Sequence, residues 1–424
     1  MYRGATPAET IRTKDPMAMT ALVQLIALSF LTAASRPAAS PYGWVAPFHL
    51  DGGIGGDQQL RQDSRGNVLV IGTLSLGESE DSVVLVKYNR AGGELWRRIY
   101  HTGGVVADHY VQDSVLDHRD NIYLTVYSYT PDASLTLLKY DSEGNLLWVR
   151  NPAGFLPRLA VDPDGNLFGA GTIAGAVGLS LHSLLVKFDP GGTELWRRTF
   201  DVPGDNVGSL GAVVTDSAGN VYTGGFEYTI SKFDAQGNLS WEKTYNGQSI
   251  VQMLFHQNRL YVSGTRLQND ALTVKLDSEG HELWQVTYTH PAATWIEPMD
   301  IALDKHGNLH LATRAGVYYG LTKYSADGQP LWSVEEQGIE EGVTAKVGVD
   351  RNGDVWLFYT VSRMPFEWDA VLARYDRFGQ RRDERRNEGP DAWQVSSDLL
   401  VGHEVIFTYG SSAPIPWVTG TLHH

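Results

Sequence analysis

Three side chains have the chemistry for proton transfer in a shared cleft: His109, His290 and Glu297. Histidine and glutamate trade protons near neutral pH when they come within hydrogen-bond reach of one substrate. Aromatics stand beside two of them, with Tyr110 following His109 and Trp295 two residues before Glu297. Together with Trp368 and Trp393 they form a set of acids, histidines and aromatics suited to a sugar, a cationic peptide or a metal ion. Further acids, Asp108, Asp205, Glu340, Glu341 and Asp391, fall in similar segments. The plainer reading is a solvated rim with packing tryptophans. No residue is assigned a catalytic role. No metal site is assigned either: Asp162-Pro-Asp164-Gly-Asn166 lacks the spacing and terminal Glu of a calcium loop, and Gly402-His403-Glu404 lacks the second zinc-binding histidine. There is no Gly-x-Ser-x-Gly elbow, phosphate loop or dinucleotide fingerprint.

Two repeated phrases must position these residues. The first runs lysine, aromatic, acid, a glycine turn, then leucine and tryptophan, as in Lys187-Phe188-Asp189-Pro190-Gly191-Gly192-Thr193-Glu194-Leu195-Trp196. Near-copies end at Trp96, Trp148, Trp241, Trp284 and Trp332, and a decayed copy starts at Arg374-Tyr375-Asp376 and loses the tryptophan. Trp44 is an orphan first copy. The second phrase is Asp-x-x-Gly-Asn between two apolar runs, at Asp63, Asp162, Asp216 and Asp304, with Asp350 closing on Asp354 instead of Asn. Weaker copies sit near Asp117, His256 and Val401. Asp caps such a turn through its side chain, and Gly takes the positive φ that closes a hairpin. Each repeat therefore reads as four antiparallel strands, and a repeat of this length predicts a radial array, a β-propeller.

Counting copies predicts eight blades, with seven as the alternative. In the eight-blade reading the N-terminal strand around Trp44 completes the C-terminal blade and closes the ring. The regularly recurring Trp44, Trp96, Trp148, Trp196, Trp241, Trp284 and Trp332 are read as blade-to-blade packing residues, and the repeated lysines as stems laid on aromatic faces. The two short turns of every unit share one face of the disc. The variable connections, which carry the candidate residues above, share the other.

Composition narrows the partners. The formal charge is −15 and there is no cysteine among 424 residues. An acidic chain is a poor match for nucleic acid or anionic lipid. Lack of cysteine removes disulfides, thiolate metal sites, a cysteine nucleophile and a lipid-anchored N-terminal cysteine. An uncharged, mostly apolar run at 20–34 follows Arg12 and Lys14 and ends in small residues. It reads as a cleaved signal peptide, giving a leader over 1–35, a linker over 36–41 and one propeller domain over 42–424. A secreted or periplasmic location in a bacterial envelope follows from that reading, with no other membrane segment.

The Asp-x-x-Gly-Asn half, with Gly52-Gly53-x-Gly55-Gly56-Asp57 before it, resembles bacterial SBBP-type propeller repeats. The Asp-x-x-Gly-x-x-Leu-Trp half resembles the tryptophan-docking repeat of PQQ-like propellers, a family that includes quinoprotein dehydrogenases and the outer-membrane assembly protein BamB. The spacing from Asp189 to Trp196 is one residue shorter than that repeat. The resemblance implies an eight-bladed scaffold. Function is expected to be non-enzymatic binding or scaffolding of a protein or glycan partner by a monomer. The alternatives are a PQQ-type oxidoreductase or other propeller enzyme using the central funnel, and a BamB-like envelope assembly component. No cofactor is called for; PQQ and Ca2+ are compatible with the resemblance, but no residue asks for either.

Overall fold

A computed structural model describes residues 44–47, 59–75, 81–101, 108–129, 134–174, 181–200, 210–266, 269–293, 295–338, 345–364, 367–387, 394–401, 405–412 and 415–422. The leader, the linker, Trp393, Asp205, Glu340, Glu341 and Asp391 lie outside the described residues, as do the side chains of Trp44, Asp108 and Trp368.

All described regular structure is β. After the short β1 (Trp44–Pro47), the first sheet is β2 (Gln59–Gln62), β3 (Val68–Ser75), β4 (Asp81–Tyr88) and β5 (Glu94–His101). The second is β6 (Asp108–Leu116), β7 (Ile122–Tyr129), β8 (Ser134–Tyr140) and β9 (Leu146–Arg150). The third is β10 (Phe155–Val161), β11 (Leu167–Ala174), β12 (Leu181–Phe188) and β13 (Glu194–Phe200). The fourth is β14 (Ala212–Thr215), β15 (Val221–Gly224), β16 (Thr229–Phe233) and β17 (Leu239–Thr244). The fifth is β18 (Gly247–His256), β19 (Arg259–Arg266), β20 (Ala271–Asp277) and β21 (Glu282–Tyr288). The sixth is β22 (Ile296–Leu303), β23 (Leu309–Ala315), β24 (Tyr318–Tyr324) and β25 (Pro330–Gln337). The seventh is β26 (Lys346–Val349), β27 (Val355–Met364), β28 (Glu367–Tyr375) and β29 (Arg381–Asn387). The last three strands are β30 (Gln394–Val401), β31 (Val405–Ser412) and β32 (Ile415–Leu422).

Every sheet is an antiparallel meander of four strands, the architecture of a β-propeller. Seven sheets are single runs of chain. The remaining sheet has the order β1-β32-β31-β30, with Trp44 opposite Gly420 and Pro47 opposite Trp417. Seven blades are thus shown as continuous runs of chain rather than the expected eight, and the remaining sheet joins strands from both chain ends. First strands of successive sheets touch around the array, and β30 touches both β26 and β2.

The hairpins form as their residues dictate. Asp162 Oδ1 accepts the N–H groups of Asp164 and Asn166 at 3.0 and 2.9 Å, and Oδ2 accepts the Asn166 amide at 2.8 Å. Gly165 supplies the φ of +83° that the turn needs. The third strands are buried on both sides, as Val83, Val84, Leu85 and Val86 show at 0% exposure, because each sheet lies between two others. The fourth strands form the outer edge and are largely exposed.

Candidate functional site

Two sets of polar side chains hold neighbouring sheets together, one at the rim and one at the axis. At the rim, the tryptophans of β5, β9, β13, β17, β21 and β25 dock on the next sheet's turn between its third and fourth strands. The Trp196 indole N–H donates to Ala235 O at 3.1 Å, and Lys187 Nζ donates to the same oxygen at 3.3 Å. Arg198 Nε donates to Gly237 O at 2.6 Å. Trp96 with Lys87, Trp148 with Lys139, Trp241 with Lys232 and Trp284 with Lys275 share the carbonyls of Ser142, Pro190, Ser278 and Ala326 in the same way. Trp332 donates to Arg377 O at 3.0 Å.

The lysines lie over aromatic rings, as Lys187 does over Phe168 with Nζ 4.8 Å from the centroid. They also pair with the hairpin aspartates beneath: Lys87 with Asp63 at 2.9 Å, Lys187 with Asp162 at 3.3 Å and Lys323 with Asp304 at 3.0 Å. A buried ammonium needs both an acid and hydrogen-bond acceptors, and this position supplies them.

At the axis, the residue four places before each first hairpin lies in the innermost strand, and at Asp113, Arg158, Gln252, Asp300 and Asp398 it follows a bulge. Around the ring these are Gln59, Asp113, Arg158, Ala212, Gln252, Asp300, Lys346 and Asp398. An inner edge strand has N–H groups with no ladder partner, and the three aspartates take them up. Asp113 accepts from Ser114 N within its own strand and from Leu159 N on the next sheet, both at 2.8 Å. Asp300 accepts from Ile301 N and from Val347 N on the next sheet, both at 3.0 Å, and from Gln252 Nε2 at 3.0 Å. Asp398 accepts from Leu399 N at 2.9 Å and from Leu60 N at 2.8 Å, which ties the split sheet to the first. Each aspartate is followed by a cation on the next sheet: Arg158 after Asp113, Lys346 after Asp300 and Arg61 after Asp398. Arg61 reaches Asp113 at 3.2 Å and Asp398 at 3.7 Å.

Burial holds the Asp113 and Asp300 carboxyls above their ordinary range, against the pull of these cations and N–H donors. Asp300 raises the Lys346 ammonium above its usual value, burial opposes this, and Asp398 adds to it.

The residues singled out from the sequence fall in several different sheets. His109 lies in β6 rather than in a loop; it is buried, with Nδ1 2.7 Å from Ser128 Oγ. Tyr110 is exposed beside it. His290 lies between β21 and β22, with Nε2 2.8 Å from Glu335 Oε2 and its ring 5.0 Å from that of Tyr318. Trp295 is exposed just before β22, and Glu297, within β22, pairs with Arg314 at 2.5 Å. Trp368 falls in β28 rather than in a loop. His109 belongs to the second sheet, and His290 and Glu297 to the sixth and its approach. His109 is engaged by Ser128, His290 by Glu335 and Glu297 by Arg314, so each has its own neighbour. Among the described residues no three metal-ligating side chains gather. Sequence reading missed the axial ring. Its signal was a polar residue at one fixed place in an otherwise apolar strand.

The family model for the outer membrane protein assembly factor BamB matches residues 182–354. BamB from Moraxella catarrhalis is 15% identical over 89% of this chain and 98% of its own, with a TM-score of 0.56. Sqt1 from Saccharomyces cerevisiae is 8% identical over 89% and 98%, with a TM-score of 0.60. The Dos1 propeller is 11% identical over 88% and 95%, with a TM-score of 0.59. No functionally curated protein matches the sequence. The chain is a β-propeller that resembles BamB and PQQ-like propellers.

Proposed function

We propose that this protein is an exported, non-enzymatic propeller that binds a protein partner on the face of its long connections. The carrying observation is how the repeated polar side chains are used. The tryptophans, lysines and hairpin aspartates hold sheet to sheet, and His109, His290 and Glu297 are each engaged by a different neighbour. Exposed Tyr110 and Trp295, near the ends of two such connections, are the anchors for the partner. The likeness to BamB supports an envelope setting, and the apolar run at 20–34 supports export. The test is chemical cross-linking of the full chain in its native envelope, followed by affinity measurement with each purified partner. Tyr110→Ala and Trp295→Ala should each weaken binding roughly tenfold or more, as truncated aromatic anchors do. Unchanged affinity in both variants refutes the assigned face. Small-molecule turnover that disappears on substituting axial residues refutes the non-enzymatic reading.

We further propose that the sheet built from both termini acts as an eighth blade and closes the ring from its inner side. Supporting this, Asp398 binds Leu60 N, and Leu399 and Val401 pack against the cluster of Trp356, Phe358, Ala370 and Leu372. Asp398→Ala leaves the buried Leu60 N–H unpaired at a cost of about 1–3 kcal/mol. Hydrogen exchange should speed up in β30 and β2 and stay unchanged in β10. Equal protection in all three refutes the closure.

A further inference from the structure

We propose that the junction between the sixth and seventh sheets is an acid-sensitive seam: protonation of His310 unseats Lys323 and Trp332 and opens this junction while the other rim junctions stay closed. In the second, third, fourth and fifth sheets the residue opposite the docking lysine is Tyr123, Phe168, Tyr222 and Tyr261. None of these rings takes up a proton near neutral pH. The lysine lies on each, with Nζ 4.6, 4.8, 5.4 and 5.0 Å from the centroid. In the sixth sheet the residue opposite Lys323 is His310. Its ring meets Trp332 edge-on at 5.9 Å, as Phe168 meets Trp196 at 5.8 Å, so a titratable ring stands inside this one dock.

The dock cannot hold a second positive charge. His310 is fully buried, and neither ring nitrogen has a hydrogen-bond partner. Its Nε2 stands 3.7 Å from Asp304 Oδ2, an oxygen that already receives Lys323 Nζ at 3.0 Å and the Asn308 amide at 2.8 Å. A protonated imidazole there is a buried cation beside a buried ammonium, with one carboxylate for both, and opening to water relieves it. In the facing sheet, Asp350 is engaged by its own turn and by Trp356, and Asp376 by its own turn and by Arg382. The Arg377 guanidinium lies over Phe378 at 4.8 Å. Burial holds the His310 pKa below its ordinary 6.5; Asp304 opposes this and Lys323 adds to it. Opening restores the ordinary value, so the open form gains as pH falls below 6.5. The junction also has fewer donors. Lys87, Lys139, Lys187, Lys232 and Lys275 each share the next turn's carbonyl with a tryptophan, whereas among the described residues Trp332 alone donates to Arg377 O. Towards the other end of β25, Glu336 accepts from Arg381 at 3.1 Å, which confines the loosening to the turn end.

The experiment is hydrogen exchange of the full chain at about pH 7.5 and about pH 5, corrected for the intrinsic pH dependence of exchange. Opening of β24, β25 and the turn at 376–380 should rise about fivefold to thirtyfold, the range set by an imidazole that recovers its free pKa. Strands β12 and β13 and the turn at 234–238 should hold steady. His310→Phe and His310→Tyr copy the rings of the third and fourth sheets and should each abolish the rise, so a readout remains should one of them fail to fold. Phe168→His should carry the rise over to β12 and β13. Opening of the seam that does not change with pH, an equal rise in both sets of strands, a rise that persists in a folded His310 variant, or a folded Phe168→His with no rise overturns the proposal.

Discussion

Gly237→Ala separates the docking of a tryptophan from the strain of a turn. Gly237 and Gly307 both sit in hairpin turns, with φ of +80° and +76°. An alanine at either pays for the left-handed conformation, about 1–2 kcal/mol. Their surroundings differ. A Cβ on Gly237 would stand 2.8 Å from Trp196 Cδ2 and 3.0 Å from Arg198 Nη2, whereas one on Gly307 meets nothing closer than 3.9 Å. Overpacking of a fitted contact adds about 1–3 kcal/mol, so Gly237→Ala should cost about 2–5 kcal/mol and Gly307→Ala only about 1–2 kcal/mol. Urea unfolding of both variants measures the difference. In a Trp196→Ala background the excess should vanish, because the ring that clashes is gone. Equal costs for the two glycine variants, or an excess that survives without Trp196, would refute rigid docking between sheets.

Asp383→Trp restores the missing tryptophan opposite Arg374 yet should not raise the urea midpoint, because no hairpin joins β32 to β1 and the new ring has no turn to dock on. A clear rise would show a docking surface there. His310 is fully buried, neither ring nitrogen reaches a hydrogen-bond partner, and its Nε2 is 3.7 Å from Asp304 Oδ2. Burial pushes its pKa below the ordinary 6.5, so the unfolded chain takes up a proton that the folded one refuses. Stability should therefore fall as pH drops below 6.5, and His310→Phe, which copies Phe168 of the third sheet, should flatten that slope in urea titrations at each pH. Asp304 is held well below the carboxylate range by His310, Asn308 and Lys323 despite its burial, so its contribution is lost only at more acid pH, below 3.8. An unchanged slope in His310→Phe would exclude His310 as the proton acceptor.

The repeat was legible because its signals are local. Asp162 binds its own turn within four residues, Gly165 satisfies a backbone angle, and alternating apolar runs follow from strand geometry. Trp196 was recognisable as a packing residue from recurrence alone. What it packs on was not, because Ala235 O is a backbone atom with no mark in the sequence. The lost tryptophan at 383 reads as decay in the sequence. In the structure it matches a neighbour whose third and fourth strands, β32 and β1, come from opposite chain ends.

His109, His290 and Glu297 looked like a set because each stood near a loop, but rank along the chain carries no information on the angle around a ring. The axial set of Asp113, Arg158, Asp300, Lys346 and Asp398 was missed for the same reason. Each member lies in a different repeat, and what they share is a place four residues before the hairpin rather than one residue type. The sequence by itself determined the hairpins, the four-stranded unit and the acidic, cysteine-free character of the chain, since those depend on residues a few positions apart. Which charges meet at the axis was decided only when the fold brought distant strands into contact.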